Sequence, residues 1–380
     1  MEKALIGMSG GVDSSVAAYL LKEEGYEVEG VSFVLYETGL RTSPADCCSL
    51  ESIDYARRTA ASIGVHHTVI ELREEFLELV IEPFIDAYKK GFTPNPCILC
   101  NRHIKFHWLL KLADERNAAY IATGHYARVA NLSDSPTLRF PGGFFLRKGV
   151  DARKDQSYVL YVLRKEELSR LKLPLGGRVK QAVRETAGRL HLPSAARPES
   201  QEICFIGDRN YCKFIEGVTE KEEGPIIDVE NGKILGSHKG IHLYTVGQRK
   251  RIGITVGKPL FVERIDPVLN AIYVGPREAA MRRAFRVEGI NWLVPIGSRQ
   301  YEVSTKQPGA CCLLPGAYSF RAGVKVRSTM KDEPATISVI DNDIAEVVFD
   351  APQWAPAPGQ SAVFYDGDTV LGGGIIYVML

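Results

Sequence analysis

The stretch GMSGGVDSS, residues 7–15, determines how the chain begins to fold. It lies between an apolar run, Lys3–Ile6, that predicts a strand and an amphipathic run, Ser14–Glu24, that predicts a helix ended by Gly25. Glycines let the backbone approach an anion closely, and the start of a helix offers unpaired N–H groups and the positive end of its dipole. The stretch therefore predicts a strand–loop–helix unit that binds the phosphates of a nucleotide.

This loop differs from two widespread phosphate-binding loops. It lacks the Gly-Lys-Ser/Thr ending of the Walker A loop and the third glycine of the dinucleotide-binding fingerprint. Its serine hydroxyls can donate to phosphate oxygens, and the Asp13 carboxylate is placed to hold Mg²⁺ against them. A glycine turn with a serine cap would explain a bare Ser-Gly-Gly, but the full string in this context favours a nucleotide site.

Strand and helix patterns alternate along the first half of the chain. Further strands are predicted at 27–35, 67–72 and 119–123, and further helices at 49–63, 74–90 and 101–116. The helix at 74–90 should be kinked at Pro83. The alternation predicts an α/β domain at 1–205 with a doubly wound parallel sheet, which binds ligands beyond the carboxyl ends of its strands.

Short β-rich runs replace this alternation after about residue 205. Gly and Pro separate runs of Val, Ile, Tyr and Phe, such as those at 241–246 and 345–349. We therefore predict a small β-rich central domain at 206–277 and a β-barrel-like domain at 278–380. If the barrel is a separate unit, the α/β domain should remain folded when the barrel is removed.

Composition and charge argue against a highly basic nucleic-acid-binding protein and against a membrane-spanning protein. The 380 residues carry a formal net charge of +1, so a nucleic-acid partner would have to be bound by local basic patches. No apolar run approaches the ~18 residues of a membrane helix, and the N-terminus does not have the layout of a signal peptide. We therefore expect a cytoplasmic protein with no membrane partner.

The eight cysteines are not spaced like a secreted disulfide framework, which indicates redox or metal chemistry at Cys97 and Cys100.

Further motifs narrow the class of enzyme. They are TPNPCILCN at 93–101, ATGHYAR at 122–128, KDQSY at 154–158, SQEICFIG at 200–207, YTVGQR at 244–249 and PGQSAVFY at 358–365. Together with the loop at 7–15, their order and spacing resemble the tRNA-specific 2-thiouridylase family over nearly the full chain. That family belongs to the PP-loop ATP pyrophosphatases, so the resemblance also implies an adenine-nucleotide-hydrolase-like fold for the first domain.

The resemblance implies an activity, cofactors and partners. The enzyme would use ATP and Mg²⁺ to adenylate the C2 oxygen of the wobble uridine in the anticodon stem-loop of tRNA. It would then replace that oxygen with sulfur, which gives 2-thiouridine, AMP and pyrophosphate. A sulfur-donor or relay protein would supply the sulfur, and the chain would act as a monomer or a homodimer.

The resemblance also assigns roles to individual residues. The implied ATP-binding residues are Gly7, Met8, Ser9, Gly10, Gly11, Val12, Asp13, Ser14, Phe33 and Gly124. The residues that would face the target base are Asn95, Pro96 and Cys97, and those that would contact tRNA elsewhere are Lys154, Asp155, Gln156, Arg327 and Ser328. Ser328 stands where the family often has an aromatic residue. The implied catalytic residues are Asp13, Cys100 as the nucleophile and Cys204 as the carrier of a persulfide.

The chemistry requires such groups independently of any resemblance. A pyrimidine carbonyl oxygen is a poor leaving group, so it must first be converted into a better one such as AMP. A sulfur nucleophile must then arrive on an activated thiol. The target base must also be splayed out of its RNA loop to reach the enzyme.

The thiols leave three alternatives open. In the first, Cys204 carries a persulfide that Cys100 resolves into a disulfide. In the second, Cys97, Cys100 and Cys204 hold a [4Fe-4S] cluster with one iron open to sulfide. In the third, Cys212 joins these three cysteines in a four-thiolate zinc site. Cys97 stands where the best-known form of the motif has Asp, and this extra thiolate favours the cluster. Zinc is the least favoured, because a closed site could not deliver sulfur.

Two other functions remain as rivals. A PP-loop synthetase or amidotransferase acting on a small molecule would share the loop at 7–15, but it would not need three cysteines or two β-rich domains. An inactive RNA-binding relic would share the β-rich domains, but the intact phosphate loop argues against it.

Overall fold

The computed structural model describes residues 1–36, 50–131, 143–198, 203–206, 211–217, 219, 222–254, 257–295 and 318–380. The strands described in the first domain are β1 Lys3–Gly7, β2 Glu27–Val34, β3 His66–Glu71, β4 Tyr120–Ala122, β5 Ala127–Asn131, β6 Phe144–Lys148 and β7 Leu171–Lys172. Five of them form one parallel sheet in the order β3-β2-β1-β4-β7. This confirms the predicted doubly wound sheet, and the order reverses between β1 and β4, where such sheets bind ligands.

Helices cover both faces of this sheet. The α-helices of the first domain are α1 Val12–Glu23, α2 Leu50–Ser62, α3 Arg73–Phe76, α4 Glu82–Lys89, α5 Pro96–Leu99, α6 Phe106–Glu115, α7 Lys165–Leu168 and α8 Lys180–Arg189. Two π-helical turns, Leu77–Ile81 and Cys100–Lys105, are inserted between neighbouring α-helical segments. The first lies directly before Pro83, whose ring removes a helix N–H, so the predicted kink takes the form of a widened turn. No helix in these ranges is long and apolar enough to cross a bilayer.

The central domain is a small four-stranded sheet. It follows α9, Tyr211–Glu216, and contains β8 Gly224–Asp228, β9 Ile234–His238, β10 Phe261–Asp266 and β11 Ala271–Gly275 in the order β10-β11-β8-β9. The run at 241–246, predicted as a strand, begins instead with a 3₁₀ turn, Ile241–Leu243. Ile241 and Tyr244 are both buried in the same apolar cluster, and a spacing of three residues suits a 3₁₀ turn rather than a strand.

The last domain is a closed barrel. Its strands are β12 Met281–Trp292, β13 Tyr318–Lys325, β14 Glu333–Val339, β15 Ala345–Trp354, β16 Ser361–Asp366 and β17 Thr369–Met379. They follow the order β12-β15-β14-β13-β16-β17, and pairing of β12 with β17 closes the ring. The β5–β6 hairpin of the first domain extends this sheet, because Arg147 pairs with Thr369. The barrel therefore has part of the first domain hydrogen-bonded to its wall.

The first domain and the barrel also share a hydrophobic core. Leu5 and Ile121 of the parallel sheet belong to the same buried cluster as Val363 and Tyr365 of β16. Removing the barrel would expose this cluster to water. We therefore expect a chain cut near residue 278 to lose stability, which revises the independence expected from the sequence.

A buried ion pair crosses the same boundary. Lys325 Nζ lies 2.9 Å from Asp155 Oδ2, and the two side chains are only 8% and 3% exposed. The Asp155 carboxylate also accepts hydrogen bonds from the Gly149 and Ser157 N–H groups and from the Ser157 hydroxyl. Asp155 lies in the first domain and Lys325 lies in β13, so this buried ion pair connects the two domains. A buried carboxylate needs a full set of partners, and Lys325 supplies the positive one.

We expect Lys325→Met to lower the unfolding free energy by about 3 kcal/mol, because it leaves a buried carboxylate without its counter-charge. Urea unfolding followed by far-UV circular dichroism measures the change. Lys331→Met removes the same charge from an exposed position and should be nearly neutral. A loss below about 1 kcal/mol, as for a surface pair, would show that the pair does not connect the domains.

Candidate nucleotide and thiol site

Close backbone contacts shape the loop between β1 and α1. Gly10 has φ +71°, and a Cβ built there would lie 2.0 Å from the Ser52 carbonyl oxygen. A Cβ on Gly124, in the turn after β4, would lie 2.7 Å from the Ser14 nitrogen. Only glycine fits at these two positions. The loop after β1 and the turn after β4 are therefore pressed together at the edge where the strand order reverses.

The side chains of the loop divide into two groups. Met8 and Val12 are buried in the core between sheet and helices, so they can offer only backbone groups to a nucleotide. The hydroxyls of Ser14 and Ser15 donate to the Gly11 carbonyl over 3.2 and 2.9 Å, and Ser14 Oγ also accepts from the Ser9 N–H. Ser9 itself is exposed. The loop is thus braced internally and presents Ser9 and backbone groups outward.

Asp13 is held by two side chains that the sequence analysis did not single out. The Lys180 ammonium lies 2.7 Å from each carboxylate oxygen, and the Tyr126 hydroxyl donates to Oδ1 over 2.7 Å. Tyr126 follows Gly124 in a recognised motif, but Lys180 begins α8 and carries no local signal. Arg197 was also missed; it donates to the Gly10 carbonyl over 3.1 Å and to Ser52 Oγ over 3.0 Å.

Two further residues lie near the same edge of the sheet. Phe33, near the carboxyl end of β2, is half-buried between two apolar clusters, and its contact with a nucleotide stays a prediction. His125 is stacked on Phe106 with ring centroids 5.8 Å apart, and its Nδ1 lies 2.8 Å from Thr123 Oγ1. Burial, and secondarily Lys105, lowers the pKa of His125 to about 3. His125 is therefore a neutral hydrogen-bonding group at physiological pH.

The first cysteine motif forms a capped helical turn. Asn95 is the N-cap of α5 and accepts a hydrogen bond from the Cys97 N–H over 3.1 Å, and Pro96 occupies the first turn. Cys97 is exposed, whereas Cys100 is 4% exposed and begins a π-helical turn. Turns of this kind are frequent at functional sites. The three residues predicted to face the target base thus lie on one turn, with the Cys97 thiol at the surface.

Cys100 and Cys204 belong to one apolar cluster. Cys100 is buried there with Leu35 and Leu72, which directly follow β2 and β3, and Cys204 packs against the same cluster. The cluster therefore lies at the same carboxyl edge of the sheet as the loop that follows β1. Of the motif at 200–207, residues 200–202 and 207 lie outside the described residues.

The described thiols do not converge on a metal site. Within the described ranges, no group of three or more His, Cys, Asp or Glu side chains is arranged to hold a metal ion. A cluster ligated by Cys97, Cys100 and Cys204 therefore stays a prediction. Cys212, the fourth ligand of the zinc alternative, donates to the Leu243 carbonyl over 3.6 Å. Burial is the main cause that raises the pKa of the Cys212 thiol.

The residues predicted to contact tRNA differ in their surroundings. The Asp155 carboxylate is turned inward toward Lys325, and Gln156 Oε1 accepts from the Tyr126 N–H over 2.9 Å. Lys154 is half-buried. Asp155 and Gln156 are therefore placed to shape this loop through their side chains, and their contact with tRNA stays a prediction.

The last predicted tRNA-binding pair follows β13. Arg327 donates to the Ala355 carbonyl over 2.8 Å, and burial lowers the pKa of its guanidinium. Its Nε is buried without a hydrogen-bond partner among the described residues. Ser328 is exposed. The pair thus offers a donor and a hydroxyl beside the barrel, and tRNA contact there also stays a prediction.

Comparison with known proteins covers the whole chain. Three family models match: a tRNA methyl transferase HUP domain at residues 2–208, a tRNA methyl transferase PRC-barrel domain at 212–276 and an aminomethyltransferase β-barrel domain at 282–376. The chain is 43% identical over 378 residues to tRNA-specific 2-thiouridylase MnmA of Clostridioides difficile (strain 630), which covers 99% of this chain and 98% of the relative. It is 42% identical to tRNA-specific 2-thiouridylase MnmA of Carboxydothermus hydrogenoformans, with 99% and 97% covered. The chain therefore belongs to the tRNA-specific 2-thiouridylase family.

Proposed function

We propose that the chain is an ATP-dependent tRNA uridine 2-sulfurtransferase that converts the wobble uridine of the anticodon into 2-thiouridine. The observation that carries this proposal is the placement of the Asp13 loop and the Cys100–Cys204 pair at one edge of the sheet. Thiolation needs both an adenylating site and a sulfur-delivering thiol within reach of one base. The names of the full-length relatives support the same activity.

The family-model descriptions mention methyl transfer, whereas the relatives are named as thiouridylases. Methyl transfer from a sulfonium donor does not require ATP cleavage or a pair of thiols. The glycine-rich loop with Asp13 and the two cysteines in one cluster are therefore better explained by thiolation.

The first step activates the base. The uridine O2 forms a bond to the α-phosphorus of ATP, the bond from that phosphorus to the β-phosphate oxygen breaks, and the electron pair leaves with pyrophosphate. The N3 proton of the base passes to water. The backbone N–H groups at the start of α1 suit the phosphates, and Mg²⁺ bound to ATP would take the Asp13 carboxylate as a ligand and neutralise phosphate charge.

The second step delivers sulfur. The terminal sulfur of a persulfide on Cys204 forms a bond to C2 of the base, and AMP leaves with the electron pair of the C2–O bond. The Cys100 thiolate then attacks the Cys204 sulfur, so that a Cys100–Cys204 disulfide forms and the transferred sulfur keeps the electron pair as the thiocarbonyl. A donor protein that carries a persulfide and a thiol reductant complete the cycle.

The arrangement of the thiols favours this persulfide route over the cluster that the extra Cys97 thiolate first suggested. A persulfide and the thiol that resolves it need to share one site, and Cys100 and Cys204 share one apolar cluster. Cys97 lies exposed on the turn that would face the base, and Cys100 is buried in the apolar cluster. We therefore assign Cys97 to the target-base surface rather than to a metal.

We also propose that the chain divides at the boundaries predicted above: 1–205 carries catalysis and the tRNA contacts at 95–97 and 154–156, 206–277 is the small β-rich central domain, and 278–380 supplies further tRNA contacts. The wall that the β5–β6 hairpin shares with β17 supports a continuous RNA-binding surface across the first domain and the barrel. Phosphate contacts from local cations would supply most of the affinity.

We expect Asp13→Asn to reduce tRNA-dependent pyrophosphate release by about a hundredfold or more, because the loop loses its carboxylate ligand for Mg²⁺. The affinity for tRNA should stay unchanged. A coupled pyrophosphate assay and a filter-binding assay measure the two quantities. Glu23→Gln, an exposed carboxylate at the other end of α1, is the matched control. Adenylation by Asp13→Asn within about threefold of wild type would remove Asp13 from the mechanism.

We expect Cys100→Ser and Cys204→Ser each to abolish thiolation while retaining tRNA-dependent pyrophosphate release, because both thiols act after adenylation. Cys97→Ser and the control Cys212→Ser should retain substantial thiolation. The assay uses chelator-treated protein, ATP, tRNA and a persulfide donor, with 2-thiouridine measured by mass spectrometry of digested tRNA. About four iron atoms per chain in anaerobic wild type, lost together with thiolation in Cys97→Ser, would instead establish the cluster.

A further inference from the structure

Lys180 reaches the phosphate loop from a part of the chain that lies outside the sequence motifs. Its Nζ lies 2.7 Å from both oxygens of Asp13, and its side chain is 10% exposed. The loop GMSGGVDSS itself contains no Lys or Arg, so its own side chains offer no positive charge. Any positive side chain that assists Mg²⁺ in neutralising the departing pyrophosphate must therefore come from another element.

Two helices hold Lys180 at this position. Its backbone N–H donates to Asp151 Oδ2 over 2.9 Å, and the following residues Val183 and Ala187 pack with Val16 of α1 in one buried cluster. Asp13 lies in the first turn of α1 and Lys180 is the first residue of α8, so the N-terminal ends of both helices meet at the loop. The positive ends of two helix dipoles thus add to the ammonium charge.

Arg197, a second cation at the loop among the described residues, has different partners. Arg197 binds the Gly10 carbonyl and Ser52 Oγ, which braces the loop from its far side. Lys180 is instead bonded to the one carboxylate that Mg²⁺ would need. Mg²⁺ bound to ATP would compete with Lys180 for that carboxylate, and the flexible four-carbon stem would let the ammonium reach a neighbouring phosphate.

We propose that Lys180 is a catalytic residue that binds the β- and γ-phosphates of ATP and stabilises the departing pyrophosphate, an inference that rests on the proposed function. As the bond between the α-phosphorus and the β-phosphate oxygen breaks, the electron pair stays on pyrophosphate, and Lys180 neutralises part of this charge without giving up a proton. In the absence of nucleotide it keeps Asp13 in place, together with Tyr126.

Binding to the full chain without tRNA tests this role directly. Isothermal titration with inorganic pyrophosphate, ATP and AMP, in the presence of Mg²⁺, should show that Lys180→Met weakens pyrophosphate and ATP binding by about tenfold or more and leaves AMP binding unchanged. Lys180→Arg should restore part of the affinity. Arg178→Met, an exposed cation just before α8, should bind all three ligands like wild type.

A double-mutant cycle separates contact with phosphate from neutralisation of Asp13. In the Asp13→Asn background, Lys180→Met should still weaken pyrophosphate binding by about tenfold, because the lost contact is with the ligand. No further loss in that background, or an equal loss for pyrophosphate, ATP and AMP, would overturn the proposal and leave Lys180 a purely structural role. Arginine rescue and the Asn background keep the test valid if Lys180→Met alone folds poorly.

The phosphate contact of Lys180 and the proposed sulfurtransferase activity can fail independently of each other. Wild type that binds pyrophosphate through Lys180 but forms no AMP from ATP and tRNA would support the phosphate contact and refute the sulfurtransferase. Wild type that thiolates tRNA while Lys180→Met binds pyrophosphate normally would refute the contact alone.

Discussion

The close approach between the turn after β4 and the first turn of α1 is the constraint on which the site depends. Gly124 lies so near the backbone of Asp13 and Ser14 that any side chain there would collide with them. This contact brings Tyr126 within hydrogen-bonding distance of Asp13. Because β1 and β4 are neighbours where the strand order reverses, the contact also fixes the place at which a nucleotide can approach the sheet.

The same turn connects the nucleotide loop to the barrel. The Tyr126 N–H donates to the Gln156 side chain, and the neighbouring Asp155 forms the buried ion pair with Lys325. Hydrogen bonds, together with the peptide link between Asp155 and Gln156, thus connect Asp13 to Lys325 of β13. Together with the shared core of Leu5 and Val363, this connection holds the first domain against the barrel.

The two thiols proposed to transfer sulfur lie in a different environment from the nucleotide loop. Cys100 is enclosed with Phe76 and Phe84, and Phe205 next to Cys204 packs edge-on against both rings. This apolar enclosure limits the access of water to the Cys100 thiol, whereas Cys204 is partly exposed. Asp13, by contrast, lies among charged and hydroxyl groups, as phosphate chemistry requires.

The sequence alone determined the alternating fold, the phosphate loop and the motif cysteines, because these depend on local spacing and on residues within a few positions of one another. The run at 241–246 begins with the 3₁₀ turn Ile241–Leu243 instead of a strand, because this turn lets Ile241 and Tyr244 be buried in one cluster. The sequence did not predict that Lys180 and Arg197 contact the loop, because they are 167 and 187 residues away from Asp13 and Gly10 in the chain. The inward orientation of Asp155 likewise depends on Lys325, which only the packing of two domains brings to it. Contacts between distant segments carry no local signal, so the tertiary structure alone decided which charges meet at the site.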